Sequence, residues 1–331
     1  MYVGRLAPSP TGYLHLGNAR TFLVTWLRAR QAGGTLIMRM EDLNYPRVQQ
    51  ETVRESYEDL RWLGLDWDYG PPDSQPLKSV APHGSYVQSE RSDVYRRYLD
   101  KLAAQDLVYP CTCTRKDILA ALDAPHDGEE PRYPNTCRGR WNSRAEAQAQ
   151  SGRNAALRMR VEPGESTFVD LFHGPHTVDL YESSGDFVVS TRLDQLPSYH
   201  LAVVSDDIEM GVTEVVRGAD LLPTTHRHLL LYRAFGMAPP NYYHLPLMRD
   251  TAGRRLAKRD GDTRIAHLRK QGIPAERVLG WLAYTLGQQS TPSDLTVESL
   301  QAQFDPTRIP RNEIHLTTAD RTHLGLAERQ D

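Results

Sequence analysis

Pro8-Ser9-Pro10-Thr11-Gly12-Tyr13-Leu14-His15-Leu16-Gly17-Asn18 is the stretch on which the fold turns. Residues 2–7 before it suit a short strand, and its two prolines and Gly12 break that strand into a rigid turn. After Gly17, Phe22, Leu23, Trp26 and Leu27 recur at helical spacing through 19–30, and Gly33-Gly34 ends the helix. Residues 35–40 then form an apolar strand that stops at Glu41-Asp42. Strand, turn, helix and strand within 42 residues make a βαβ unit, so the fold class is α/β with a mainly parallel, Rossmann-like sheet. In such a sheet the quoted loop lies at the carboxyl end of the first strand, where backbone N–H groups and a helix N-terminus favour phosphate. Pro10, Thr11, Gly12, His15, Gly17 and Asn18 are therefore candidate nucleotide-binding residues, with His15 donating to phosphate and Gly17 admitting the adenine or ribose. The competing reading is a plain helix start capped by Asn18.

Outward from this unit, residues 49–64 carry Val53, Tyr57, Leu60 and Leu63 on one helical face, and 90–107 suggest another helix. From Cys111 to about Phe187 glycine, proline and charge become frequent and strand candidates are short (156–161, 167–171, 187–189), the texture of an insertion. Tyr199 to Val204 is expected to be a strand that resumes the main sheet. Helices are expected from 274 to 287 and from 295 to 304. The boundaries that follow are 1–107 and 191–273 for the two halves of the main domain, 108–190 for the inserted subdomain and 274–331 for a short helical C-terminal extension.

The chain has 331 residues, 24% of them charged and 39% hydrophobic, with a net charge of -3, so any nucleic-acid partner must be held by local basic patches. No run of eighteen apolar residues and no basic-then-apolar N-terminus occurs, which predicts a cytoplasmic protein without membrane attachment. A monomer is expected. Three cysteines within 27 residues do not make a disulfide framework and raise the question of a metal.

A second polar loop, Gly253-Arg254-Arg255-Leu256-Ala257-Lys258-Arg259-Asp260-Gly261, opens a span to Lys270 with seven Lys or Arg against two Asp. It reads as an RNA-facing basic loop, or as a cationic loop that stabilises charge on a leaving pyrophosphate. Arg5 through Gly12 followed by His15-Leu16-Gly17-Asn18 resembles the opening of the glutamyl and glutaminyl class I aminoacyl-tRNA synthetases, the latter piece matching their HIGH motif. Leu256-Ala257-Lys258-Arg259 resembles their KMSKS-type loop, and Arg39-Met40-Glu41-Asp42 and Arg217-Gly218-Ala219-Asp220 extend the resemblance over nearly the whole chain. It implies a class I synthetase catalytic domain using ATP with Mg2+, in which His15 and Lys258 stabilise the transition state of adenylate formation and Arg259 and Arg255 assist. Arg255 replaces the usual first Lys of the loop and Ala257 the usual Ser, so a hydroxyl is lost there.

Glutamate carries two carboxylates and one ammonium, so its pocket needs cations and an anion. Arg5 and Arg217 are the candidate cations and Glu41 the partner of the ammonium, while Ser9, Tyr199 and His200 offer neutral hydrogen bonds. The resemblance implies that Arg5, Ser9, Glu41, Tyr199 and Arg217 line the glutamate site.

Cys111-Thr112-Cys113 and Tyr133-Pro134-Asn135-Thr136-Cys137 supply three thiolates and a phenolate, enough for a tetrahedral zinc site, with His126 as a rival fourth ligand. Related enzymes imply the set Cys111, Cys113, Tyr133 and Cys137 and a structural Zn2+. Only 72 residues follow Arg259, fewer than an anticodon-reading module needs, and Asp42-Leu43-Asn44-Tyr45-Pro46-Arg47 is similar to a truncated subgroup of the family. Asn44 stands there where Asp is usual. This subgroup, the glutamyl-queuosine tRNA(Asp) synthetases, activates L-glutamate without tRNA and transfers it to the queuosine base of tRNA(Asp). The alternatives are a compact glutamyl-tRNA synthetase charging the 3′-end of tRNA(Glu), and a non-catalytic RNA-binding paralogue.

Overall fold

Leu36-Ile37-Met38, three consecutive buried residues, have the continuous apolar character of a strand covered on both faces, and they pair in parallel with Gly4-Arg5-Leu6. The structure is a computed structural model that describes residues 1–43, 48–78, 82–120, 132–192, 195–250, 253–254, 256 and 261–326. Its strands in chain order are β1 (Val3–Leu6), β2 (Thr35–Met38), β3 (Val108–Cys111), β4 (Ala156–Met159), β5 (Glu165–Asp170), β6 (Gly174–Asp179), β7 (Phe187–Ser190), β8 (Glu214–Gly218), β9 (Asn241–Leu245), β10 (Met248–Arg249) and β11 (Ile314–His315). The helices are α1 (Leu16–Gln31), α2 (Gln50–Trp62), α3 (Ser92–Ala104), α4 (Arg115–Ala120), α5 (Arg144–Ser151), α6 (Leu180–Ser183), α7 (Tyr199–Glu209), α8 (Thr225–Ala234), α9 (Ile265–Lys270), α10 (Ala275–Thr285), α11 (Val297–Gln303) and α12 (Thr318–His323). The chain divides into two compact units, Met1–Glu90 with Val212–Leu222 and Pro240–Asp331, and Arg91–Gly211 with Pro223–Pro239.

In the first unit α1 connects the parallel pair β1–β2, and β8 and β9 form a second parallel pair from Glu214↔Asn241 to Gly218↔Leu245. The amide of Thr213 donates to Val3 O at 2.9 Å, and Val3 N to Thr213 Oγ1 at 2.9 Å, which joins the start of β8 to β1. The α1 helix ends at Ala32, and Gly33 takes the left-handed conformation (φ 57°) that side chains disfavour. The C-terminal segment belongs to the same unit: α10 buries Val278, Leu279, Trp281 and Leu282, and β10 pairs in parallel with β11. At Gly280 a Cβ would stand 1.8 Å from Ser293 O, so only glycine admits that close passage of the chain.

In the second unit β3, β4 and β7 form an antiparallel sheet, and β5 and β6 a hairpin paired from Glu165↔Asp179 to Asp170↔Gly174. Tyr98 and Leu102 of α3, Leu201 and Val204 of α7 and Leu231 and Tyr232 of α8 share one core cluster. The expected strand over Tyr199 to Val204 is instead the first half of α7. Ser198 caps this helix, its Oγ accepting from Leu201 N, and beyond the apolar run Leu201 to Val204 the helix continues through Ser205, Asp206 and Asp207 to Met210 before Gly211 (φ 63°) closes it. A short all-apolar run fits a buried helix as well as a buried strand, and its length decides between them. The parallel sheet resumes only at β8.

Candidate functional site

His15 is the N-cap of α1. Its Nδ1 accepts from the amides of Gly17 (3.1 Å) and Asn18 (3.3 Å), while Asn18 Oδ1 accepts from His15 N at 3.2 Å, a reciprocal capping box. The capping that competed with the phosphate reading is therefore real, with His15 as the cap and Asn18 reciprocating. The two uses are compatible, because amides only donate: Nδ1 must be unprotonated, and the proton of the neutral ring sits on Nε2 as a donor. A Cβ on Gly17 would lie 3.0 Å from His15 Cε1, so glycine here keeps the imidazole in place.

The proline turn is fixed by three contacts. Thr11 N donates to Ser9 O (2.9 Å), Glu41 N to Pro8 O (3.0 Å), and Thr52 Oγ1 of α2 to Pro10 O (2.8 Å). The backbones of His15 and Arg264 form an antiparallel bridge, and Ile265 N donates to Leu14 O at 2.9 Å. The sequence segment after the second basic loop thus runs alongside the first motif. Of that loop, Arg254 is described: its Nε lies 2.9 Å from Asp250 Oδ2 and its amide 2.8 Å from Oδ1. Arg255, Ala257, Lys258 and Arg259, like Asn44 and His126, lie outside the described residues.

The same unit holds the buried ionic residues predicted for glutamate. Arg5, in the middle of β1, donates through Nη1 to Val216 O at 3.3 Å. Arg217, on β8, donates through Nε to His244 Nε2 (2.9 Å) and through Nη2 to Leu221 O (3.2 Å), and its guanidinium lies 5.2 Å from the Tyr242 ring centre. Glu41 pairs with fully buried Arg39, Nη2 to Oε1 3.0 Å. Sequence reasoning passed over Arg39 and His244 as partners; both occupy strands or strand ends, and no spacing rule links His244 to a residue 27 positions earlier. Asp220 folds back on Gly218, where a Cβ would meet its Oδ1 at 2.5 Å.

Tyr199 and His200 stand in the second unit at the start of α7, Tyr199 with 41% of its surface exposed. Both ring nitrogens of His200 have protein partners, His228 Nε2 at 3.1 Å and Arg227 Nη1 at 3.2 Å.

The second unit also gathers the cysteines. The sulfurs of Cys111, Cys113 and Cys137 lie within 4.8 Å of one another, Cys113 and Cys137 at 3.4 Å. The Tyr133 hydroxyl is 3.2 Å from Cys111 Sγ and 3.7 Å from Cys113 Sγ, and accepts from Cys137 N at 3.0 Å. Thiolates about 2.3 Å from a tetrahedral zinc stand about 3.8 Å apart, so the donor set fits that ion. Mutual hydrogen bonding splits the thiols: bonds from Cys111 and Cys113 pull Cys137 far below the ordinary thiol range, while Cys113 is pushed up and burial pushes Tyr133 up. Sequence reading missed Arg158 on β4, whose Nε donates to Cys111 Sγ at 3.2 Å and whose guanidinium lies 3.7 Å from the Tyr133 ring centre. Arg158 Nη1 is held in turn by Asp186 O at 2.7 Å, and the Asp186 carboxylate accepts from Tyr109 OH at 2.6 Å.

The family model for tRNA synthetases class I (E and Q), catalytic domain, matches residues 2–308. Over 318 residues the chain is 45% identical to a protein named glutamyl-Q tRNA(Asp) synthetase from Symbiobacterium thermophilum, covering 96% of each chain. It is 38% identical over 313 residues to a glutamate--tRNA ligase of the same organism, covering 93% of this chain and 63% of that one. A solved glutamate-tRNA synthetase from Elizabethkingia anophelis superposes with a TM-score of 0.81 at 26% identity, covering 98% of this chain and 69% of that chain.

Proposed function

Since this chain belongs to the class I tRNA synthetase family (E and Q), a family of ATP-using ligases, we propose that it activates L-glutamate as the adenylate without tRNA and transfers it to queuosine in the tRNA(Asp) anticodon. One observation carries the choice of acceptor: of two relatives from a single bacterium, the chain is more similar to the one named glutamyl-Q tRNA(Asp) synthetase, and along 96% of its length. Charging of tRNA(Glu) is the less favoured reading.

On this reading the capped His15 presents Nε2–H to the phosphates of ATP, which enters with Mg2+. Pro10, Thr11, Gly12, Gly17 and Asn18 form the surrounding loop, and Lys258, with Arg259 and Arg255, stabilises charge on the departing pyrophosphate. Arg5 and Arg217 offer guanidinium groups to the two carboxylates of glutamate, Glu41 receives its ammonium and Ser9 a hydrogen bond. Tyr199, from the family pattern alone, is assigned a further glutamate contact. The carboxylate oxygen attacks the α-phosphorus of ATP, pyrophosphate leaves, and a hydroxyl of the queuosine cyclopentenediol then displaces AMP from the mixed anhydride. That second step needs positioning above all, since adenylate is a good leaving group. Cys111, Cys113, Tyr133 and Cys137 would hold one zinc ion, whose part is structural. The division into 1–107, 108–190, 191–273 and 274–331 remains the proposed functional map, with the cysteine segment as its inserted subdomain.

The test is to supply labelled glutamate and ATP with tRNA(Asp) carrying or lacking queuosine and, in a parallel reaction, with tRNA(Glu), and to locate the label. Label on the modified base, and none on tRNA lacking it, is the expected result. Label on the 3′-end of tRNA(Glu) would overturn the assignment.

A further inference from the structure

The segment that runs beside His15 is bolted to α2 by charge. Arg264 and Ile265 pair with His15 and Leu14, and Ile265 is fully buried. One helical turn later on α9, Arg269 meets three carboxylates of α2: Glu55 Oε2, Glu58 Oε2 at 3.1 Å and Asp59 Oδ1 at 3.2 Å. Lys270 Nζ adds a second cation on Glu55 Oε1 at 2.6 Å. At the other end of the same stretch, Arg264 lies over the Tyr13 ring, 5.1 Å from its centre. Asp262, before Arg264, is paired with Arg321 of α12.

Exposed ion pairs hold little, but Arg269 is about four-fifths buried and Asp59 wholly so, and desolvated, multiply bonded charges fix geometry. We propose that Arg269 is a positioning residue for adenylate formation: by clamping α9 onto Glu55, Glu58 and Asp59 it holds residues 264–265 in register with Leu14-His15, and so fixes the height of the His15 imidazole. This rests on the proposed role of His15. As a positioning residue Arg269 is assigned no contact with nucleotide or amino acid. It acts through two backbone pairings, and its loss lets the His15 loop shift by fractions of an ångström, enough to lower kcat while leaving glutamate affinity alone.

The test uses glutamate-dependent pyrophosphate exchange and amide hydrogen exchange on the full chain. Arg269→Gln should lower kcat by about tenfold to a hundredfold with the glutamate KM within about twofold, and should speed exchange at the Ile265 amide. Arg269→Lys, which keeps the cation, should recover most of both. In a His15→Ala background Arg269→Gln should change kcat less than about twofold, because the two act in series. Additive losses, or an unchanged Ile265 exchange rate, would overturn the proposal. A His15→Ala variant with normal kcat would overturn the role of His15 and the positioning role with it; the Ile265 rate tells the two failures apart, since it reports the clamp whatever His15 does. Should Arg269→Gln fold poorly, Glu55→Gln weakens the clamp from the α2 side, leaving Glu58 and Asp59, and must give the same pattern in smaller measure.

Discussion

Arg217 and His244 lie side by side on the neighbouring parallel strands β8 and β9, the guanidinium Nε donating to the imidazole Nε2 at 2.9 Å in a fully buried setting. An arginine can only donate, so His244 Nε2 is an acceptor and its ring is neutral. The histidine thereby sets the direction in which the rest of the guanidinium points. His244→Phe keeps the volume and removes the acceptor, and should raise the glutamate KM by about tenfold, the worth of one lost hydrogen bond to a charged group, while the ATP KM is unchanged. Steady-state pyrophosphate exchange measures both. Equal glutamate KM values in variant and parent would remove His244 from the pocket.

Gly17→Ala places a methyl group 3.0 Å from His15 Cε1. The ring must tilt away from its two capping amides, so kcat should fall by about tenfold or more and the N-terminus of α1 should lose about 1 kcal/mol. Exchange kinetics and urea unfolding read the two effects separately. Loss of stability with full kcat would mean that the imidazole serves the helix alone.

Arg158 makes the cysteine cluster more than a ligand set. Its Nε donates to Cys111 Sγ, an outer hydrogen bond of the kind that orients a metal-ligating sulfur. Metal analysis of the purified chain should give one zinc per molecule. Arg158→Met should weaken retention against a chelator by about tenfold to a hundredfold. A folded, active chain without metal would reassign the cysteines as buried thiols.

Asp59 titrates in an unusual range. Burial pushes its carboxyl up to about 7 from 3.8, against the pull of Arg269. The folded chain therefore keeps a proton that the unfolded chain releases, so this group's contribution is greatest below about pH 4 and is lost as pH rises towards 7. Asp59→Asn carries no such proton. Relative to the parent it should gain about 1–3 kcal/mol between pH 5 and pH 8. Urea unfolding at the two pH values checks this; a difference that does not change with pH would show that Asp59 is ionised throughout.

Much of this was legible in the sequence because it is local. The βαβ start follows from apolar runs and glycines within a few tens of residues, and the helix over Gln50–Trp62 from its repeating Val53, Tyr57 and Leu60. Three sulfurs that share one cluster were visible as a tight run of cysteines. The misread segment, Tyr199 to Val204, holds four consecutive buried apolar residues from Leu201 to Val204, and such a run has no period to betray its geometry. The contacts that orient the site residues were invisible for another reason. Arg158 meets Cys111 across 47 positions, and Arg269 meets Glu55 across 214. Nothing in a linear pattern marks which of many arginines will find which sulfur or carboxylate.

The bond from Thr213 to Val3 spans 210 positions. On the ribosome, β1 and β2 emerge first, yet the β8 neighbour of β1 is made only after the whole of Arg91–Gly211 has been translated. At typical synthesis speeds that delay is roughly 10–40 s. Throughout it, one side of β1 awaits its partner, and the intervening segment still lacks Leu231 and Tyr232 of α8, which share its core cluster. The order of birth therefore runs opposite to the order of completion, and the half of the molecule that carries His15 is the last to close.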